Sequence, residues 1–187
     1  MRMAERLTRC CPRPGRIVAR LVADRRGSAL IEFAICGSVF MALLVACAQT
    51  ALVFFAQQGV QTAAEDLARK VMTGQVRSAS TNQANFKLAA CQSLPDYMSC
   101  SRLFVDVRTA ISFSEVDTGG VTLTYDSHGN LTNTWSYNTG NAGDVVVLRL
   151  MYLWPTSTGP LGFNLSNQST STRLLSGTMV FKSEPYA

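Results

Sequence analysis

Residues 33–56 read FAICGSVFMALLVACAQTALVFFA, 24 positions with no charge and one strongly polar side chain, Gln49. The uncharged run continues through residue 64 and stops at Glu65. As a helix, a run of that length reaches about 36 Å, enough to cross a hydrocarbon core of about 30 Å with some tilt. A buried core helix is the competing reading, but a domain of this size rarely surrounds a helix that is apolar on every side. A cleaved secretory signal would have a shorter apolar core ending in a small-residue cleavage site. The segment reads as a single membrane span.

Working outward, the run is preceded by a basic leader. Residues 1–26 hold eight Arg against Glu5 and Asp24, a charge of +6, while the rest of the chain carries −1 and the whole +5. A nucleic-acid-binding domain needs its basic patch on the folded body, and this body is nearly neutral, so no nucleic-acid partner is expected. Charged residues are 16% of the 187, below the usual share of about 25%, which excludes a disordered polyelectrolyte. Five Lys or Arg fall in the fifteen residues before Gly27 and two in the fifteen after Ala56. The positive-inside rule then puts the N-terminus in the cytoplasm and the C-terminal body outside. Within the leader, Ile17, Val18, Leu21 and Val22 recur at helical spacing between arginines. That pattern allows a cationic amphipathic helix on anionic headgroups, although an unstructured basic tail is the plainer reading. Cys10 and Cys11 have no apolar stretch upstream and read as free thiols in a reducing compartment.

The junction reads Asp24-Arg25-Arg26-Gly27-Ser28-Ala29-Leu30-Ile31-Glu32-Phe33. Glu32 stands at the head of the apolar run, where a charge costs a few kcal/mol near the bilayer centre and less at the interface. Snorkelling at the cytoplasmic face, or stabilising the helix N-terminus, would explain it alone. Its spacing adds another reading. Gly27 lies five residues earlier, directly after the Arg-rich leader. Gly27 followed by SALIEF resembles the processing site of type IV prepilins, in particular the Flp and TadE-like proteins of tight-adherence (Tad/Flp) pili. The resemblance implies cleavage after Gly27 by a membrane-embedded aspartyl prepilin peptidase, with Ser28 as the new N-terminus and Glu32 as the fifth mature residue. Five helical residues cover only about 7 Å, so the carboxylate stays near the level of the new α-amine. In a filament it would neutralise a neighbour's amine, pairing two charges that are each costly in an apolar bundle.

Beyond Ala56 the pattern predicts that the helix continues with an apolar stripe at Val60, Ala63, Ala64, Leu67, Val71 and Met72, closed by Gly74. Residues 75–82 are polar and turn-like, and a second helix is expected from Asn82 to Ser93, ended by Pro95. The period then changes to two. Strands are expected at Leu103–Val107 extended through Ile111 and Phe113, at Val121–Tyr125, at Val145–Trp154 and at Thr178–Lys182. Asp126–Asn130 reads as a turn, and residues 155–173 as a surface loop. The expected fold is α+β: a long transmembrane then amphipathic helix, packed in the exported part on an antiparallel sheet of about four strands. Its divisions are a leader 1–27, cleaved, a transmembrane helix 28–57 and an exported body 58–187.

Cys91 and Cys100 lie in that exported, oxidising part, so a disulfide is expected rather than two free thiols. Cys36 and Cys47 lie in the membrane helix and fill space. His128, the one histidine, sits in the Gly-containing turn and reads as solvated. No phosphate loop, HExxH-type helix or paired Cys cluster occurs, so no catalytic, cofactor-binding or metal site is expected and the chain does not read as an enzyme. The blocks LFVDVRT, GDVVVLRLMYLWP and LLSGTMVFKSEPY also resemble TadE-like proteins. The resemblance implies a minor pilin or pseudopilin in the bacterial inner membrane with a periplasmic body. Its implied partners are the prepilin peptidase, other pilins and the pilus assembly platform, and its implied role is pilus assembly and surface adhesion. The alternative is a single-span, membrane-anchored exported enzyme or receptor domain.

Overall fold

The apolar run folds as one helix, α1, Ser28–Met72, 45 residues long. A computed structural model describes residues 27–76, 82–116, 119–168 and 171–184. The basic leader, with its Ile17–Val22 pattern and with Cys10 and Cys11, lies outside the described residues. Arg69 and Lys70 occupy the last turn of α1, where cations suit the negative end of the helix dipole. Gly74, at φ 70°, then ends it. Its amide donates to the Val71 carbonyl at 3.0 Å, and the Gln75 amide to that of Lys70 at 2.9 Å, a paired closure that satisfies the last carbonyls.

The described chain falls into two compact units, one ending at Leu44 and one covering residues 45–187. In the first, every large apolar side chain from Leu30 to Leu44 is exposed, Phe33 by 78%. In the second, α1 buries a stripe at Val53, Ala56, Val60, Ala63, Ala64, Leu67, Ala68 and Val71. The spacing of three and four is that of a one-sided helix. The stripe begins seven residues before Val60, where the sequence pattern alone placed its start.

The short helix α2, Gln83–Gln92, is capped by Asn82, whose side chain accepts from the Asn85 amide at 2.8 Å. Its buried residues are Phe86 and Ala90. Three strands follow: β1, Leu103–Ala110; β2, Val145–Pro155; and β3, Thr172–Lys182. They form one antiparallel sheet in the order β1-β2-β3. The register sets one face in rows across the strands: Leu103, Tyr152 and Leu175; Val105, Leu150 and Gly177; Val107, Leu148 and Met179. These residues, except Gly177, join the stripe of α1 in a single apolar core. β2 is central and nearly buried on both faces, which explains its unbroken apolar sequence.

The sheet therefore has three strands, not four. Val121–Tyr125 alternates as a strand should but makes a single bridge, Tyr125 to Leu131. The Thr124 amide is taken by the Asn133 side chain at 2.8 Å, one of the local side-chain bonds that compete with a ladder. β1 stops at Ala110: Ile111 is 91% exposed, and Phe113 opens a 3-10 turn, Phe113–Glu115. β3 starts at Thr172, six residues before the expected Thr178, because pairing with Leu150–Pro155 carries it there. The turn at 126–130 forms as expected, with Asp126 accepting from the amides of His128 and Asn130 at 2.8 Å each. The hydrogen bonds from Asn130, backbone first and then side chain, hold the Asp126 carboxyl below its ordinary range.

At Gly177 the sheet crosses α1 closely. A Cβ there would lie 3.0 Å from both the Ala64 Cβ and the Val60 carbonyl oxygen. Gly177→Ala should therefore destabilise the body by about 1–3 kcal/mol through overpacking against backbone. Gly120→Ala, whose added Cβ meets nothing within 4 Å, should leave the melting temperature in detergent unchanged. Equal melting temperatures for the two variants would refute the close crossing.

Candidate functional site

The sequence placed its site residues at the head of α1, and the structure brings three of them together. Gly27 immediately precedes Ser28, the first residue of the helix. One turn later, Glu32 accepts a hydrogen bond from the Ser28 hydroxyl, Oγ to Oε1 at 3.2 Å. Side chains on a helix lean toward its N-terminus, so the carboxylate is drawn back to the level of Ser28. Its neighbours Ile31 and Phe33 are 60% and 78% exposed, so the charge sits in an apolar, uncovered setting. Among the described residues, a Cβ on Gly27 would meet nothing within 4 Å.

From this head onward the helix is long and apolar enough to cross a membrane, and none of its most apolar 18-residue window is buried. Cys36 and Cys47 lie in the exposed stretch as free thiols. Gln49, the polar interruption, belongs to the second unit, where its Nε2 lies 3.5 Å from the Ser157 hydroxyl.

Cys91 and Cys100 are bonded, with their Cα atoms 5.4 Å apart. The bridge ties the last turn of α2 to the 3-10 turn Cys100–Arg102 that leads into β1. The loop it closes is fastened to the core from both sides. Pro95 and Tyr97 sit over Gly59 of α1, and the Tyr97 ring stacks on Phe55 at 5.5 Å. The Ser99 amide donates to the Tyr152 hydroxyl at 2.9 Å. His128 lies in the exposed turn closed by Asp126.

One polar cluster was not foreseen. Asp106, on the face of the sheet away from α1, is 3% exposed. It accepts from the Ser136 amide at 2.8 Å and pairs with the Arg108 Nε at 2.8 Å. Residues 136–138 run beside β1, with Val107 exchanging backbone bonds with Ser136 and Asn138. The Asp106 carboxylate thus fastens the long β1–β2 connection to the sheet. The only signal for it in the sequence is an acidic residue inside an apolar strand.

Residues 27–69 match the sequence model of the family described as TadE-like protein. This part of the chain is similar to TadE-like proteins. The matched segment opens on Gly27, contains Ser28, Glu32 and the whole exposed apolar run, and ends within the buried stripe. Cys91, Cys100 and the three strands lie beyond it. No curated protein and no solved structure matches the chain.

The disulfide can be tested directly. Thiol labelling of unreduced, denatured protein should leave Cys91 and Cys100 unmodified, and ready alkylation of both would show that they are not bridged. Cys91→Ser should cost the body about 2–3 kcal/mol on the chain-entropy account of so short a loop, read as a fall in melting temperature.

Proposed function

We propose that the protein is a minor pilin or pseudopilin of a tight-adherence type IV pilus, cut after Gly27 by a prepilin peptidase. The observation that carries the reading is the junction: a glycine directly before a helix whose fifth residue is a carboxylate tied back to its first. Gly27 has no packing reason of its own, since a Cβ there would meet no described atom within 4 Å. In this reading the glycine serves something outside the fold, the narrow cleft of a peptidase. The TadE-like match over residues 27–69 supports the same reading.

In this reading the leader stays in the cytoplasm, α1 crosses the inner membrane and the sheet-bearing body is periplasmic. Cleavage leaves Ser28 with a free α-amine beside Glu32. The mature helix then leaves the membrane and assembles against the helices of other pilins on the assembly platform, contributing to adhesion. A helix that merely tethers an exported enzyme or receptor gives no reason for the Gly27–Glu32 spacing.

Two substitutions test separate steps. Gly27→Leu should block processing, because a bulky side chain at the scissile position does not fit beside the catalytic aspartates. N-terminal sequencing of wild-type protein from cells with an active peptidase should begin at Ser28, and recovery of an intact Met1 form would sink the idea. Glu32→Gln keeps the shape and lies beyond the cut, so processing should survive. Leaving a partner amine unpaired in an apolar bundle costs about 3–5 kcal/mol, so recovery in pili should fall more than tenfold. Normal piliation with this variant would remove the charge-pairing step and leave the processing claim standing.

A further inference from the structure

The β2–β3 connection lies beside Gln49, Leu52 and Val53 of α1. β3 climbs along the helix: the Ser176 carbonyl accepts from Gln57 Nε2 at 2.8 Å, and the Glu184 amide donates to the Met72 carbonyl at 3.2 Å. The segment before β3 must therefore lie lower, and it does. Ser157 reaches Gln49, and a Cβ on Gly159 would collide with the Gln49 side chain. Counted from Phe33, the roughly 20 residues that a hydrocarbon core takes up run out at Leu52. Gln49 lies three residues inside that limit.

The composition of this end fits the level. From Leu150 to Thr172 there are 23 consecutive residues without a charge. The connection turns on Pro160–Gly162, where Leu161 is 89% exposed and held at φ 58°. A branched apolar residue in the left-handed region, turned outward at a loop tip, is a costly choice for a water-facing turn. Above the tip, Trp154 meets the edge of Tyr97 at 6.4 Å, and Tyr97 stacks on Phe55. Trp and Tyr gather where an apolar body meets headgroups. A cavity of about 150 Å³ between Leu52, Val53, Trp154 and Leu165 continues the apolar surface inward.

We propose that residues 156–168 form a second membrane contact, dipping Leu161 into the outer leaflet of the bilayer while Trp154 and Tyr97 sit at headgroup level. The body is then seated on lipid rather than hung above it. The proposal rests on the reading of α1 as a membrane span, and the test separates the two.

The test uses full-length single-Trp variants with Trp135 and Trp154 changed to Phe, reconstituted in phosphatidylcholine vesicles carrying acyl chains brominated near the headgroup or near the chain end. Leu161→Trp should lose at least half its fluorescence to the shallow bromines and less to the deep ones. Asn141→Trp, beside the end of β2 that pairs with Lys182, should lose almost none. Leu44→Trp, inside the span, should be quenched whatever the loop does. Quenching of Leu44→Trp with none for Leu161→Trp would overturn the proposal and leave the span intact, handing the patch to a protein partner. An unquenched Leu44→Trp would remove the span and the proposal together. A cooperative melting transition close to the wild-type temperature reports a folded body in each variant.

Discussion

The contact between the small-residue stripe of α1 and the first half of β3 sets the position of nearly every other element. Ala56, Ala63, Ala64 and Ala68 keep that face of the helix low, and Gly177 removes the side chain that would hold the sheet away. With backbone and helix so close, Leu67 and Val60 are fully covered, each large side chain contributing about 1.5–3 kcal/mol by leaving water. Three strands without a covering layer would be marginal. The sheet persists because α1 supplies that layer, and α2 closes the remaining flank with Phe86 and Ala90.

The same helix must also suit a second solvent. Before Val53 its apolar side chains find no cover in their own unit, and from Val53 onward one side is taken up by the sheet. Both parts belong to the one helix, Ser28–Met72. Outside a bilayer the apolar faces of residues 28–52 would need equivalent cover from other helices, because near 25 cal/mol per Å² their exposure to water is prohibitive.

Much of this was legible in the sequence where one physical signal dominates. The length of the uncharged run gave α1, the apolar side of Phe86 and Ala90 with Pro95 beyond it gave α2, and an apolar block between turn residues gave β2. Legibility failed where long-range pairing or local side-chain bonds decide. Val121–Tyr125 has the alternation of a strand, but its Thr124 amide goes to the Asn133 side chain and its Thr124 carbonyl accepts from the Thr132 amide. Thr172–Gly177 lacks the alternation, since Arg173, Ser176 and Gly177 interrupt it, yet it pairs because β2 is long enough to hold it. Asp106 reads as an outward polar residue, and only the folded connection at Ser136 buries it. At the site, Gly27, Ser28 and Glu32 were readable because their relation is purely local. The lipid-level loop was not, since it depends on which end of β3 meets Gln49.

Gln49 and Glu32, the two polar interruptions of the membrane-suited helix, are treated differently by the fold. Gln49 is neutral and lies against its own body, beside Ser157 and Gly159. Burying its amide with incomplete hydrogen bonding costs about 1–3 kcal/mol, which packing can offset. Among the described residues Glu32 has the Ser28 hydroxyl beside it, an exposed neutral donor on its own helix. One such bond does not balance an ionised carboxylate moved out of water. What complements it is a cation at the level of Ser28, and cleavage after Gly27 would create one at that level, on every copy, from the backbone itself.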